Sequence, residues 1–344
     1  MATFAPDLLD SILKLPAQLT DAWRQVSEID LSRFPLSTLR FTDIVVAGMG
    51  GSTLGADLLR HAFANKLEVP IHIVNDYTLP PWVGKQTLVI LSSYSGTTEE
   101  TLACAEQAKD ARANVFVMAA GGILLDGAHA LDWPCWKIEA DQNPSNQTRM
   151  AIGYMVAGLG CLFARLGLLP LTKRMIDLTA KELKTHGSKL KADDSAAAEL
   201  AGYSENRFLL LMSAEHLLGA AHVFNNQVHE NAKHLCVSQP IPELDHHFLE
   251  GLGFPYDAKR HAMAIFLQSD LYHPRNRKRI ELTSQILDKN GIPSAVIDVL
   301  GPNRFIQAMN AVQFGAFTSY FIAERHRIDP VPVPNVSALK KLLA

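Results

Sequence analysis

The sequence predicts an α/β protein of two doubly wound parallel-sheet domains with a C-terminal helical tail. Two observations carry this expectation. Short β-rich apolar runs alternate with segments of helical spacing, the pattern of strands joined by crossover helices and not by hairpins. The runs also fall into two series on a chain of 344 residues, long enough for two cores of ordinary size.

Taken in order, residues 7–27 read as helix with a break at Pro16, whose ring cannot sit inside a helix. The first strand series is Ile44–Ala47, Ile71–Val74, Thr87–Leu91, Val115–Met118 and Trp136–Ile138. Residues 171–199, rich in Lys, Leu and Asp at helical spacing, read as a connecting helix. The second series is Phe208–Met212, Ala262–Leu267 and Ser294–Leu300. The run Pro330-Val331-Pro332-Val333-Pro334 then leads into a short Lys-bearing helix. The expected division is an N-terminal helical segment (1–35), a first domain (36–170), the connecting helix (171–199), a second domain (200–328) and a tail (329–344). No repeat between the halves is evident in the letters, so any repeat is structural.

A net charge of -3 leaves no electrostatic footprint for nucleic acid or for an anionic membrane. The expected partner is a small molecule. No apolar run is long enough to span a bilayer, and Met1-Ala2-Thr3-Phe4 opens no leader pattern, so the expected location is cytoplasmic. Cys104, Cys135, Cys161 and Cys236 lie in or beside apolar segments without CxxC spacing, as buried thiols of a reducing compartment do.

The most informative stretch is Ser93-Tyr94-Ser95-Gly96-Thr97-Thr98-Glu99-Glu100-Thr101, directly after the run Thr87–Leu91. A strand that breaks into hydroxyls and a glycine and then opens a helix aims hydroxyls and free backbone N–H groups at one point, which suits a phosphate. Thr97 followed by Glu100 reads as a capping box. Ser93, Ser95, Thr97 and Thr98 have no Lys or Arg among them and the P-loop pattern is absent, so a phosphomonoester fits better than a polyphosphate. The plainer alternative is a polar strand-to-helix loop with no ligand.

The first strand ends in Gly48-Met49-Gly50-Gly51-Ser52-Thr53-Leu54-Gly55. A dinucleotide turn would need a third glycine where Thr53 stands and an acidic residue about 20 positions on, near Asp76. Two anion-friendly turns in one sheet instead suggest convergence on one sugar phosphate, with glycines that merely tighten a turn as the alternative. His222, His229, His234, His246 and His247 crowd a short span, but His229-Glu230-Asn231-Ala232-Lys233-His234 misses HExxH by one residue. The two imidazoles then face different sides of a helix, so a zinc-protease site is rejected and no metal is expected.

Gly48–Ser52, Ser93–Thr101, Gln147-Thr148-Arg149-Met150-Ala151, Glu230-Asn231-Ala232-Lys233 and Pro242-Glu243-Leu244-Asp245-His246 together resemble, in that order, the bifunctional phosphoglucose/phosphomannose isomerases. These are proteins of two sugar isomerase (SIS) domains, flavodoxin-like in fold. The resemblance implies interconversion of fructose 6-phosphate with glucose and mannose 6-phosphates through a cis-enediolate, with no metal or cofactor. It implies Glu230 as base, Arg149 as the enediolate-stabilising cation, His246 as the ring-opening group and Lys340 as a tail lysine near the sugar. Gly50, Gly51, Ser52, Ser93, Ser95 and Thr98 would hold the phosphate. It also implies a homodimer with the site near the subunit interface. Read without the family, Glu230 is a helical surface carboxylate, Arg149 a surface partner of Asp141 or Glu139, His246 a loop histidine and Lys340 an ordinary tail lysine.

The chain departs from the family at His247 and Phe248, where Asn and Glu are expected, at Asn225 for Lys, and at His229 for Asn. These flank the implied base and ring-opener and bear on substrate preference. The rivals to an isomerase of this kind are a sugar-phosphate-sensing SIS module and an isomerase of another sugar phosphate. Sensing regulators usually carry a helix-turn-helix domain, for which there is neither a basic segment nor spare length.

Overall fold

The computed structural model describes residues 4–32 and 40–343, apart from the side chain of Ala258. The expected boundary at residues 35 and 36 lies outside the described residues. The first half runs α1 (Pro6–Leu13), α2 (Leu15–Ser27), β1 (Asp43–Ala47), α3 (Gly51–Ala62), β2 (Ile71–Val74), β3 (Thr87–Ser92), α4 (Glu99–Asp110), β4 (Asn114–Ala119), α5 (Gly122–Ala130), β5 (Cys135–Lys137) and α6 (Ile152–Arg165). The second runs α7 (Lys173–Leu190), α8 (Ala196–Tyr203), β6 (Phe208–Ala214), α9 (Leu218–Ala232), β7 (Cys236–Ile241), β8 (Ala262–Gln268), α10 (Pro274–Lys289), β9 (Ser294–Asp298), α11 (Arg304–His326) and α12 (Pro334–Leu343). The chain forms two compact units, Lys14–Lys184 and Met1–Leu13 with Thr185–Ala344.

In the Lys14–Lys184 unit the strands pair in the order β2-β1-β3-β4-β5, all parallel. Val45, Ala47, Val89, Leu91, Val115 and Val117 face one way, onto Cys104 and Ala108 of α4 and Leu124 and Ala128 of α5. The alternate residues Ile44, Val46, Leu88, Ile90, Phe116 and Met118 are buried as well. Both faces of the sheet are therefore covered, and its strands read as continuous apolar runs with no polar alternation.

The other unit pairs its strands β7-β6-β8-β9, again all parallel. In both sheets the second strand pairs on one side of the first and the third on the other, so the winding repeats although the letters do not. β7 escapes the sequence reading because Pro240 interrupts it and Val237 is exposed, as an edge strand allows. The last strand stops at Asp298, short of the expected Leu300, whose side chain lies in solvent.

The helical stretch expected over 171–199 is two helices. Ser195 separates them: its hydroxyl donates to the Leu190 carbonyl (2.8 Å) and accepts from Ala198 N–H (3.3 Å) as the N-cap of α8. The break anticipated at Pro16 falls between α1 and α2, with the proline in the first turn of α2, where its missing N–H costs nothing. Every residue from Ile152 to Phe163 of α6 is buried, as is every residue from Phe305 to Ala323 of α11. The tail helix α12 forms where expected and buries none of its residues.

Candidate active site

The strand ends on either side of the point where the first sheet reverses its winding, β1 and β3, carry the two turns singled out from sequence. A Cβ at Gly48 would lie 2.2 Å from the Ser92 carbonyl, so only glycine lets β1 leave the sheet there. Gly50 takes φ +51° and α3 begins at Gly51. Asn75 Nδ2 locks this turn by donating to the Gly48 carbonyl (2.6 Å) and to Thr53 Oγ1 (3.0 Å). The two turns are laced together through Ser52, whose hydroxyl accepts from Tyr94 N–H (3.1 Å) and whose carbonyl accepts from the Ser92 hydroxyl (2.7 Å).

In the second turn, the buried Ser93 hydroxyl donates to Thr98 Oγ1 (2.9 Å) and accepts from Gly96 N–H (3.1 Å). Gly96 is left-handed (φ +69°), and a Cβ there would sit 1.7 Å from the Gly121 carbonyl. The expected capping box is not formed. The Thr97 hydroxyl and N–H both donate to Ser95 Oγ (3.1 and 3.3 Å), because the left-handed glycine folds the turn back on itself. The N-cap of α4 is therefore Thr98, one residue later, and it makes no side-chain cap. An anion can then be met by the first-turn N–H groups of α4. Ser95 is exposed beside them. Asp76, where an acidic dinucleotide partner would stand, accepts from Tyr77 N–H within its own turn. The Tyr77 hydroxyl donates to the Glu99 carboxylate, and this bond chiefly pushes its pKa up to about 12.

Arg149 joins this assembly. It lies in the short 3-10 turn Thr148–Met150, against which Gly51 packs so closely that a Cβ would meet Thr148 Cγ2 at 2.9 Å and Arg149 N at 3.1 Å. The side chain is 2% exposed, which removes the reading of a surface partner for Asp141 or Glu139. Its Nη1 donates to Gln147 Oε1 (2.9 Å). The Gln147 carbonyl in turn accepts from Asn143 Nδ2 (3.0 Å), and Asn143 Oδ1 accepts from the Ser145 hydroxyl (2.9 Å). Asn143 Nδ2 also donates to the Tyr94 hydroxyl (3.4 Å), so the arginine's support reaches the turn after β3. A buried guanidinium in a turn packed against the start of α3 suits an anion or a developing oxyanion. Sequence reasoning missed Asn75, Asn143, Ser145 and Gln147 as supports; the polar run Asn143-Pro144-Ser145-Asn146-Gln147 before the arginine was the available signal.

The remaining implied residues belong to the other unit. Glu230 is half-buried in the last turn of α9. With His229, Lys233 and the tail residues Val333 and Pro334 it lines a cavity of about 360 Å³. One turn earlier, Gln227 is fully buried. His229 Nε2 accepts from Cys236 N–H (3.1 Å) at the start of β7. His234 lies beyond the helix, with Nε2 on the Arg207 carbonyl (2.6 Å) and its ring stacked on His326 at 5.4 Å between centroids. His229 and His234 thus serve different backbone partners. No group of three or more His, Cys, Asp or Glu is placed to hold a metal among the described residues.

His246, itself exposed, closes the 3-10 turn Glu243–His246 after β7. Its neighbour Asp245 pins that turn to α10, accepting from Arg279 Nη1 (2.9 Å) and the Thr283 hydroxyl (2.8 Å). Lys340 is exposed on α12.

The reversal point of the second sheet, between β6 and β8, is filled by side chains. His216 Nε2 and the Ser269 hydroxyl both meet Gln307 Oε1 (2.9 and 2.5 Å), and Gln307 Nε2 donates to Asp270 Oδ1 (2.7 Å). Burial pushes the His216 pKa down and the Tyr272 hydroxyl pKa well up. The two sheets thus share a winding, while side chains occupy the reversal point of the second.

Among the described residues no helix is long and apolar enough to cross a membrane. The Bacterial phospho-glucose isomerase C-terminal SIS domain matches residues 193–343. A bifunctional phosphoglucose/phosphomannose isomerase of Caldicellulosiruptor bescii is 28% identical over 351 residues, covering 98% of this chain and 99% of that protein. A hypothetical protein of Thermus thermophilus superimposes with a TM-score of 0.74 at 18% identity, over 98% of this chain and 89% of that one. Tagatose-6-phosphate ketose/aldose isomerase of Escherichia coli does so with a TM-score of 0.69 at 15% identity, over 93% and 94%. Residues 193–343 are therefore similar to the bacterial phospho-glucose isomerase C-terminal SIS domain, and the chain resembles the bifunctional phosphoglucose/phosphomannose isomerases along nearly its whole length.

Proposed function

We propose that this protein is an aldose-ketose isomerase interconverting glucose 6-phosphate, and mannose 6-phosphate, with fructose 6-phosphate through a cis-enediolate. The observation that carries the reading is a hydroxyl-rich turn at the end of β3, laced through Ser52 to the helix start against which the buried Arg149 packs, in a chain similar to such isomerases from end to end. Moving a proton between C2 and C1 needs a base, a cation for the developing oxyanion and a group that opens the ring. We assign these roles to Glu230, Arg149 and His246, with Lys340 near the sugar and Gly50, Gly51, Ser52, Ser93, Ser95 and Thr98 on the phosphate. Neither metal nor redox cofactor enters the reading, since one carbon is oxidised as its neighbour is reduced. The enediolate has lost its C2 stereochemistry, so reprotonation on either face gives either epimer.

The setting we propose is cytoplasmic carbohydrate metabolism, in glycolysis and gluconeogenesis. The domain limits 36–170 and 200–328, the connecting segment 171–199 and a tail 329–344 contributing to the site belong to the same reading. So does a homodimer with the site near the subunit interface and His246 donated across it. Mixing inactive Glu230→Gln and His246→Ala subunits is then expected to restore activity, and no recovery after verified exchange rejects the donated histidine.

The deciding experiment is conversion of fructose 6-phosphate by the purified protein, with and without a chelator, resolving both products. Turnover that survives chelation and collapses in Glu230→Gln is the expected result. Binding of the sugar phosphate without turnover overturns the assignment in favour of a sensing module, with His247 and Phe248 as the departures to revert first.

A further inference from the structure

The end of the helix that carries Glu230 is built unusually. α9 stops at Ala232, and the next residue, Lys233, sits in the left-handed region at φ 51°, ψ 34°. That position at a helix end favours glycine, because a Cβ is strained there. A lysine held there against its backbone preference points to work done by its side chain.

That work is visible in two bonds. The Lys233 ammonium donates to the carbonyl of Glu230 (2.6 Å) and to the carbonyl of Pro330 (2.9 Å). The first is one of the carbonyls that a helix C-terminus leaves without an intrahelical partner, and a cation there also meets the negative end of the helix dipole. The second belongs to a buried proline that opens the segment leading to α12 and Lys340. Around the same helix end, His229 Nε2 receives Cys236 N–H (3.1 Å), and residues 333–336 wall the cavity that Glu230 lines. Because α12 buries none of its own residues, its placement depends on how the strap before it is tied.

We infer that Lys233 is a positioning residue that clamps the C-terminal strap to the helix end bearing Glu230, setting the base and the tail together for isomerisation. The inference rests on the isomerase reading above and names a residue that acts through others. Since the phosphate-holding turns lie in the Lys14–Lys184 unit, loss of the clamp spares ground-state binding and falls on kcat.

The test compares Lys233→Met, Lys233→Gly and Lys233→Arg in the full chain. The methionine keeps the stem without the charge, the glycine relieves the backbone strain without the charge, and the arginine keeps the charge. With fructose 6-phosphate, kcat is expected to fall about tenfold or more in both uncharged variants, as small misplacements of reacting groups do. KM is expected to move by less than about threefold and the arginine variant to recover most of the rate. Hydrogen exchange over 329–343 is expected to quicken in the uncharged variants alone. Adding Lys340→Ala to Lys233→Met is expected to cost less than the product of the two single losses, because both act through one tail.

A Lys233→Gly protein as active as the wild type, with the tail protected, overturns the clamp and leaves Lys233 as a helix terminator. Should the wild type fail to isomerise fructose 6-phosphate, the isomerase reading falls separately. Exchange over 329–343 then decides the clamp alone: faster exchange in Lys233→Met supports it and unchanged exchange rejects it. Should the methionine variant not fold, the glycine variant carries the same comparison.

Discussion

Ser93 shows how a single hydroxyl can hold a binding turn in shape. It is 1% exposed, donates to Thr98 and accepts from Gly96 N–H, so its loss frees the N-cap of α4, while Gly96 N–H keeps the Ser93 carbonyl (3.0 Å) as its acceptor. An intramolecular hydrogen bond contributes about 0.5–1.5 kcal/mol net. Ser93→Ala is therefore expected to lower unfolding free energy by about 1 kcal/mol in urea titrations and to weaken inorganic phosphate binding by more than Ser95→Ala does. Equal effects of the two substitutions would mean that the exposed hydroxyl, and not the buried one, organises the turn. Arg149 makes the complementary point: its sequence neighbours allowed a surface ion pair, whereas its burial against Gly51 and its bond to Gln147 commit it to the interior.

At the scale of elements, close packing sets the identity of several helix residues that propensity alone would choose differently. Gly158 lies inside α6, where alanine would gain about 1 kcal/mol of helix propensity. A Cβ there would stand 2.0 Å from Cζ3 of Trp136, which is buried in β5 and tied through Nε1 to Gln25 Oε1 (2.9 Å). Overpacking costs about 1–3 kcal/mol, and a partner so held cannot step aside, so packing outweighs propensity. Gly158→Ala is expected to be destabilising by about 1–2 kcal/mol, read as a lower urea midpoint at unchanged m. A stabilised protein would show that Trp136 moves freely.

For the molecule as a whole, the buried His216 and the half-buried His186 and His234 shape the response to acid. Burial lowers the pKa of His186, His216 and His234 from the model-peptide value of 6.5. Below pH 6.5 the unfolded chain takes up protons that the folded imidazoles refuse, so the unfolded state binds more protons and stability rises with pH. Their contribution is complete above that value and is lost as pH falls from there toward the depressed folded values. Urea midpoints are therefore expected to drop between pH 7 and pH 5, and replacing His216 by Gln is expected to flatten part of that slope. An unchanged slope would mean that His216 takes up its proton in the folded protein.

Much of the molecule follows from local chemistry and was legible as letters. The continuous apolar runs 44–47, 87–91 and 115–118 announce strands buried on both faces, the hydroxyl-glycine stretch 93–98 announces the turn from β3 into α4, and Pro16 and the 330–334 run announce helix boundaries. Other features arise only when distant segments meet. β7 is a strand because β6 supplies its hydrogen-bond partner, although Pro240 and Val237 make it read as loop. The N-cap of α4 moved one residue because Gly96 must clear the Gly121 carbonyl, a contact that no local pattern encodes. The packing of the Arg149 turn against Gly51, the bond from Asn143 to Tyr94 and the Lys233 bridge to Pro330 likewise join residues far apart in the chain. The sequence by itself determined the periodicities and turn chemistries, which act over a few residues; the tertiary structure decided which polar groups are buried and whom they meet, because burial and partnership depend on every segment packed around them.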